Sequence, residues 1–411
     1  MPTESNCAVL ETRRHISRVV LILLILVSLA LASNRIRVSH EPLPTPRDVS
    51  MGFAISKYPD FPAYEAELVR LKSTYPDQFE FQSEGTSYDG SFPLTWVTVG
   101  NPTKPAILFV GVLHGRNEWA GTQMLLQFAE KLLDPRDNQR DFNRAFLERY
   151  CLVAIPMANP WGYFASPEGI HHNPHPADVK GIESADWHDM THYGRYMGVD
   201  LNRNFDWNWD KLDTYPWVAR KFWNGKDYGI ASRYMMPYYR DAEGNEVYSP
   251  DGEHKNRILK PDPGVYDYKG EAPFSEPETQ LVRDLVLNRY NVIGFADWHT
   301  MNPWQNKSAT YVSGHEDTRA QAYTFTERSI DRVNNRNPDN PSPMPKPRRI
   351  VIEEYANNGP YAANWAQNAA GIRTFGWETG TALPDKVWTD AYMDMFYHSI
   401  HWMTRTKPTP R

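Results

Sequence analysis

Three short segments carry side chains whose types suit one shared reaction centre. The apolar run Ala106–Leu113 (AILFVGVL) is followed at once by His114-Gly-Arg-Asn-Glu118-Trp119. A second apolar run ends in Asp297-Trp298-His299-Thr300, and a third segment reads Phe375-Gly376-Trp377-Glu378-Thr379. A His and a carboxylate within one turn can share a metal ion. Two His and one Glu satisfy a catalytic zinc and leave its fourth position open to water. A further Glu nearby suits a general base acting on that water. Taken singly, each of these residues is more often a capped or solvated side chain than a ligand.

What gives the three segments weight is the kind of element that delivers them. Continuous apolar runs such as Ala106–Leu113 mark strands buried on both faces, and Tyr150–Ile155, Val292–Trp298 and Arg373–Trp377 read the same way. Leu94–Val99 alternates and reads as a further strand. Helical spacing appears over Phe61–Thr74, through Tyr64, Leu68 and Leu71, with Pro62 in its first turn, and again over Trp119–Leu133. Ser275-Glu276-Pro277-Glu278 reads as a capping box that opens a helix to about Leu287. Strands alternating with helices predict one α/β domain with a largely parallel sheet, and in such sheets chemistry gathers where buried strands end. Residues 206–272, rich in Trp, Tyr, Asp and Gly, break the rhythm as an irregular excursion. Residues 334–349, with five Pro, read as a loop.

Composition narrows the classes. The chain has 411 residues with 44 Lys+Arg against 50 Asp+Glu, a net charge of -6. That balance argues against a general nucleic-acid binder, which shows a basic face. Cys7 and Cys151 are its two cysteines, too few for a disulfide scaffold or a Cys-rich zinc site. Arg13, Arg14 and Arg18 precede the apolar run Val19–Ala32, which ends Ala30-Leu31-Ala32. A run of that length suits a signal peptide, with an uncleaved membrane anchor as the alternative. Cleavage after Ala32 is the favoured expectation, with the rest of the protein secreted, periplasmic or otherwise outside the cytoplasm. Residues 33–56 then form a linker, and the catalytic domain spans 57–405. Membrane contact is expected only through an uncleaved N-terminal segment, and no nucleic-acid partner is expected.

A fourth segment, Gly198-Val-Asp-Leu-Asn202-Arg203-Asn204-Phe205, sharpens the reading, because an amide beside a guanidinium holds a carboxylate by several charge-assisted hydrogen bonds. With the other three, it resembles the zinc metallocarboxypeptidases of the pancreatic carboxypeptidase type. The order agrees too: His/Glu pair, Asn-Arg-Asn, second His, then a Tyr and the last Glu. Asn159-Pro160-Trp161-Gly162 looks like the family's Asn-Pro-x-Gly turn, and Phe274–Glu278 like the helix start before the second metal His. The similarity covers roughly residues 57–405, and five ordered motifs are far more specific than any one. It implies a three-layer domain with a mixed, largely parallel sheet flanked by helices, one zinc ion per chain, and a peptide substrate with a free C-terminal carboxylate.

Carried over residue by residue, the resemblance makes His114, Glu118 and His299 the zinc ligands and Glu378 the general base and acid. Asn202 and Arg203 would bind the substrate's α-carboxylate. Thr300 stands where the family usually has Ser, lining the subsite, and Tyr355 looks like the family's mobile tyrosine, with Trp365 supporting that register. An ordinary loop tyrosine is the competing reading for Tyr355. For Trp119, Trp298 and Trp377, core packing is the better reading. The pocket floor for the C-terminal side chain falls near Ala362–Ala363, which suits an apolar or aromatic residue.

The chain also departs from the family. Its first motif is H-x-x-x-E rather than H-x-x-E, with Asn117 extra; on a helix one added residue turns a carboxylate by about 100°, whereas a local bulge absorbs it. The family's oxyanion-stabilising Arg has Arg195 as its match, with Lys180 in reserve. The pancreatic enzymes carry a pro-domain of roughly a hundred residues, for which residues 33–56 leave no room, so a non-zymogenic protein is expected. His171, His172, His175, His188 and His192 crowd one stretch, but no buried strand delivers them and no HExxH is present; a polar loop is the better reading. The absence of a G-x-S-x-G elbow disfavours a serine hydrolase. Asn306-Lys-Ser is a glycosylation acceptor if the host glycosylates its secreted proteins. Two alternatives to a peptidase stay open: a zinc amidohydrolase of cell-wall peptides or N-acyl amino acids, and an inactive relative that only binds peptide C-termini.

Overall fold

The computed structural model describes residues 42–47, 56–165, 173, 199–209, 269–300, 360–379 and 386–405, with the residue pairs 220–221, 227–228, 239–240, 246–247 and 258–259. Six strands form its main sheet: β1 (Phe79–Thr86), β2 (Pro93–Val99), β3 (Ala106–Gly111), β4 (Cys151–Ile155), β5 (Val292–Thr300) and β6 (Arg373–Thr379), in the order β1-β2-β4-β3-β5-β6. The first three in that order pair antiparallel, and β4-β3, β3-β5 and β5-β6 pair parallel. The sheet is therefore mixed and largely parallel, as the apolar runs predict.

Every residue of β3 and β4 is buried, because both faces are covered. Alternation along β3 shows the two covers. The Phe109 ring meets Phe128 at 6.0 Å and Phe396 at 5.1 Å, side chains of α2 (Ala120–Leu133) and α7 (Lys386–Arg405). On β5, Trp298 turns the same way and stacks on Phe396 at 4.7 Å, so its role is core packing. Leu108 and Val110 join a different buried cluster, with Leu201, Phe205, Leu281 and Trp365, drawn in part from α5 (Pro277–Asp284) and α6 (Ala362–Asn368). Sheet residues with period two and helices above and below make a three-layer α/β domain.

Local chemistry sets most boundaries. Helix α1 (Phe61–Thr74) starts where the Asp60 carboxylate accepts the Ala63 N–H at 2.9 Å, with Pro62 in the first turn, and it buries Tyr64, Leu68 and Leu71. Helix α3 (Arg140–Arg149) leads into β4, and α4 (Pro160–Phe164) follows it. Three expectations are corrected. The run Ala106–Leu113 leaves the sheet at Gly111, because Val112 adopts a left-handed φ of 63°. The helix expected from Trp119 begins at Ala120. Ser275 and Glu278 form no capping box: Glu276 is the N-cap residue, Ser275 Oγ donates to Glu276 Oε1 at 2.6 Å, and Glu278 accepts the N–H of Tyr88 at 3.2 Å. Past Asp284 the helix widens into a π turn over Leu285–Arg289.

The described residues of the 206–272 excursion include its two ends, which clasp each other. Trp209 Nε1 donates to the Lys269 carbonyl at 3.1 Å, and Lys269 Nζ lies 3.6 Å from the centre of the Trp209 ring. Between them, Arg220–Lys221 pairs with Asp227–Tyr228, and Tyr239–Arg240 with Glu246–Val247 and Ile258–Leu259. Residues 19–32, the 171–192 histidines and residues 334–349 lie outside the described residues. Among the described residues no helix is long and apolar enough to cross a membrane.

Candidate active site

Strand β3 delivers His114 through a strained exit. A β-branched residue at φ 63° is an outlier, and Val112 is held there by its carbonyl, which accepts the Asn159 N–H at 3.0 Å. Gly115, at φ 56°, then reverses the chain into a single 3-10 turn, Gly115–Glu118. The left-handed Gly115 and this turn together bring Glu118 back onto His114, so the extra residue of H-x-x-x-E is taken up within the loop. Glu118 folds back on its own loop: Oε2 accepts the His114 N–H at 2.9 Å, and Oε1 lies 2.8 Å from His114 Nδ1.

Strand β5 brings in the second imidazole. His299 Nδ1 stands 2.7 Å from the same Glu118 Oε1, and the two imidazole ring centres are 5.0 Å apart. One ligand atom from each of His114, Glu118 and His299 lies within 4.8 Å of the others. Glu118 and His299 are each 1% exposed, whereas the His114 side chain is 19% exposed, so the cluster is buried on the Glu118 and His299 side and reaches solvent at His114. Both outer ring nitrogens face carboxylates: His114 Nε2 lies 3.0 Å from Asp200 Oδ1, and His299 Nε2 lies 3.2 Å from Asp297 Oδ2. Carboxylates behind metal-ligating His fix the tautomer and orient the ring.

The charges of the cluster shift each of its three groups. Burial alone would push the His114 imidazole down, but the Glu118 and Asp200 carboxylates outweigh it and lift it to about 10. His299 is raised as well, its burial overcome by Glu118 and Asp297. Glu118, which burial would raise, is instead held far below the usual carboxylate range by the two imidazoles. Positive charge is therefore favoured between the three groups. Two imidazole nitrogens, one carboxylate oxygen and an outer carboxylate on each imidazole are the donor set of a catalytic zinc. The residues present fit that ion.

The Asn-Arg-Asn segment is bolted to this cluster by Asp200. Its Oδ1, besides facing His114, accepts the Asn202 N–H at 2.9 Å, and Oδ2 lies 3.7 Å from Arg203 Nη1. Arg203 also stacks on Tyr361, with Cζ 4.3 Å from the ring centre. The Asn202 amide spans the site. Its Oδ1 accepts the Ala362 N–H at 2.9 Å and its Nδ2 faces His299 Nε2 at 3.0 Å. The third residue, Asn204, turns away. Its Nδ2 donates to the carbonyls of Lys269 and Ala272 and to Ser275 Oγ, and its Oδ1 accepts from Glu276 N–H and Thr279 Oγ1.

Of the remaining expected site residues, Glu378 is the register partner of His299 across the β5–β6 pair, and Thr300 pairs with Thr379. Ala362 and Ala363 open α6 fully buried. Arg195, Tyr355 and Lys180 lie outside the described residues. Sequence reasoning missed Asp200 and Asp297. Both had a signal: an Asp two residues before Asn202, and an Asp two before His299 on a strand, where alternate residues share a face.

A family model for zinc carboxypeptidases, Peptidase M14, matches residues 64–226 and 241–385. The chain belongs to that family. It is 25% identical over 143 residues to a metallocarboxypeptidase A-like protein of Trichophyton verrucosum, covering 34% of this chain and 30% of the relative. Carboxypeptidase E of Caenorhabditis elegans is 30% identical over 147 residues, 34% of this chain and 28% of that protein. The matches thus span under a third of either relative's length. In fold, the carboxypeptidase A from Helicoverpa armigera superposes with a TM-score of 0.52 at 17% identity, over 85% of this chain and 74% of that one.

Proposed function

We propose that this protein is a zinc-dependent carboxypeptidase that hydrolyses the C-terminal peptide bond of peptides. The observation that carries the reading is the convergence of His114 Nδ1, His299 Nδ1 and Glu118 Oε1, beside a buried Asn-Arg pair suited to a carboxylate. His114, Glu118 and His299 hold the zinc ion. That ion supplies a Lewis acid that polarises the scissile carbonyl and acidifies water. Glu378, level with His299 in the sheet, takes the water's proton and passes it to the leaving amine. Asn202 and Arg203 bind the free α-carboxylate, which sets the scissile bond one residue from the chain end. Arg195 stabilises the oxyanion, Thr300 lines the subsite and Tyr355 closes over the C-terminal residue. The buried, uncharged Ala362–Ala363 pair favours an apolar or aromatic C-terminal side chain.

The test pairs metal analysis with a Glu378→Gln variant of the protein. Both forms should bind one zinc per chain, with kcat of the variant lower by about 10²–10⁴-fold, the range for loss of a general acid–base group. A zinc-loaded Glu378→Gln protein that keeps its rate contradicts the assignment. A location outside the cytoplasm is also part of the proposal, on the strength of the basic flank and apolar run at 13–32. N-terminal sequencing of the exported protein should begin at Ser33.

A further inference from the structure

The Asn-Arg-Asn turn is stitched to the start of α6 at three successive points. The Phe205 N–H donates to the Pro360 carbonyl at 3.3 Å, Arg203 Cζ lies 4.3 Å from the centre of the Tyr361 ring, and the Ala362 N–H donates to Asn202 Oδ1 at 2.9 Å. The middle point differs from the other two, because side chains alone make it. Arg203 and Tyr361 are each 9% exposed, and a desolvated guanidinium over an aromatic face is held more firmly than one in water. Two other groups pull on the same cation. Its Nη1 donates to the Asn202 carbonyl at 3.0 Å and stands 3.7 Å from Asp200 Oδ2. A charge-assisted hydrogen bond is about 2.7–2.9 Å long, so the Arg203–Asp200 pair is held open.

We infer that Tyr361 is a positioning residue for Arg203: the face of its ring holds the guanidinium back from Asp200 and so keeps its N–H groups for the substrate's α-carboxylate. The two demands on Arg203 do not compete, since stacking uses the face of the guanidinium and a carboxylate uses the donors in its plane. Without the ring, the guanidinium closes on Asp200 Oδ2, and a substrate carboxylate must break an internal ion pair in order to bind. Tyr361 acts through its ring rather than its hydroxyl, so Phe serves in its place and Leu does not. What Arg203 binds rests on the carboxypeptidase reading; what holds Arg203 does not.

The test uses the full zinc-loaded chain. In Tyr361→Leu, KM for peptides with a free C-terminus should rise about 3–30-fold, the span of a cation–π contact from partly to fully desolvated. The value of kcat should hold, because the lost binding is common to substrate and transition state. Tyr361→Phe should keep the native KM. A trifluorinated phenylalanine at position 361 has the shape of Phe but an electron-poor face, and it should raise KM towards the Leu value, which a merely structural role would not do. In an Arg203→Ala background, Tyr361→Leu should leave KM where it was, because the cation is already gone. In protein labelled with ¹⁵N-arginine, the Nε–H signal lost in Arg203→Ala should lie upfield of other arginines through the ring current, and return to their range in Tyr361→Leu. The inference is overturned if that signal is unshifted in the native protein, if fluorination leaves KM unchanged, or if Tyr361→Leu raises KM equally in both backgrounds. Should the protein bind zinc yet turn over no peptide, the carboxypeptidase reading falls, while the Arg203 signal, and its movement on adding N-acetylphenylalanine but not its amide, still decide the role of Tyr361.

Discussion

Gly115 and Gly162 lie back to back: a β-carbon on Gly115 would stand 2.5 Å from the carbonyl carbon and oxygen of Gly162. Gly162 is held in turn by Asn159, whose Oδ1 accepts its N–H at 2.8 Å and whose Nδ2 donates to the Leu113 carbonyl at 3.3 Å. The Asn-Pro-Trp-Gly turn is thus a seat for the loop that carries His114 and Glu118. Replacing Gly115 by Ala adds both a clash and a side chain at φ 56°. The expected cost is about 2–3 kcal/mol of stability together with weaker zinc binding. Urea unfolding and chelator competition read the two effects, and an Ala variant as stable and as tight as the native protein contradicts this account of the loop.

Removing Asn117 restores the family's H-x-x-E spacing. In this chain, however, the 3-10 turn Gly115–Glu118 places Glu118 Oε1 within 2.8 Å of both imidazoles. A shorter loop should draw the carboxylate out of reach of at least one of them. The deletion variant is expected to bind zinc more weakly, by at least tenfold, since a ligand is lost or misplaced. Tighter binding in metal titration would mean the extra residue is a defect rather than a fitted part.

Asn204 binds no substrate in this account. Its five hydrogen bonds tie the Asn-Arg-Asn segment to residues 269–279. Asn204→Ala leaves several buried groups unpaired and should destabilise the protein by about 2–4 kcal/mol. Thermal unfolding checks this. A variant with native stability but a raised KM would instead place Asn204 in the substrate site.

Glu278 makes stability depend on pH. Burial is the larger cause and the neighbouring Glu276 the second, and together they push its carboxyl from 4.5 up to about 8. A group raised in the folded state favours folding fully below the unfolded value and loses that contribution as pH climbs to the folded value. Glu278→Gln, neutral throughout, should therefore gain on the native protein between about pH 4.5 and 8 and hold a constant advantage above. At about 1.4 kcal/mol per unit, the plateau is on the order of a few kcal/mol. Denaturant midpoints at several pH values test it, and a difference that is flat across that window refutes the buried-acid reading.

Much of this was legible in the sequence, for physical reasons that also mark where legibility stopped. Strands β3 and β4 announce themselves because a doubly covered strand must be apolar throughout, and the ligands follow because they sit at strand ends. The register of His299 with Glu378 was not readable, since it needs the β5–β6 pairing. Helix α7 was missed because it buries Thr389, Asp390, Asp394, His398 and His401 among its apolar residues, which blurs the 3.6-residue stripe. The capping box at Ser275 failed because Glu278 is drawn to Tyr88 and Glu276 is recruited by Ser275 and Asn173. Asp200 and Asp297 looked like ordinary acidic residues until the imidazoles beside them were placed.

The most direct test of the central claim is mass spectrometry of a mixed peptide library incubated with residues 33–411. Each peptide is present with a free and with an amidated C-terminus, and parallel samples contain a chelator or the Glu378→Gln variant. The account predicts stepwise loss of residues from free C-termini only, stopped by either control, with apolar or aromatic ends removed first. Cleavage of amidated peptides at equal rate, or cleavage that survives the chelator, would contradict it.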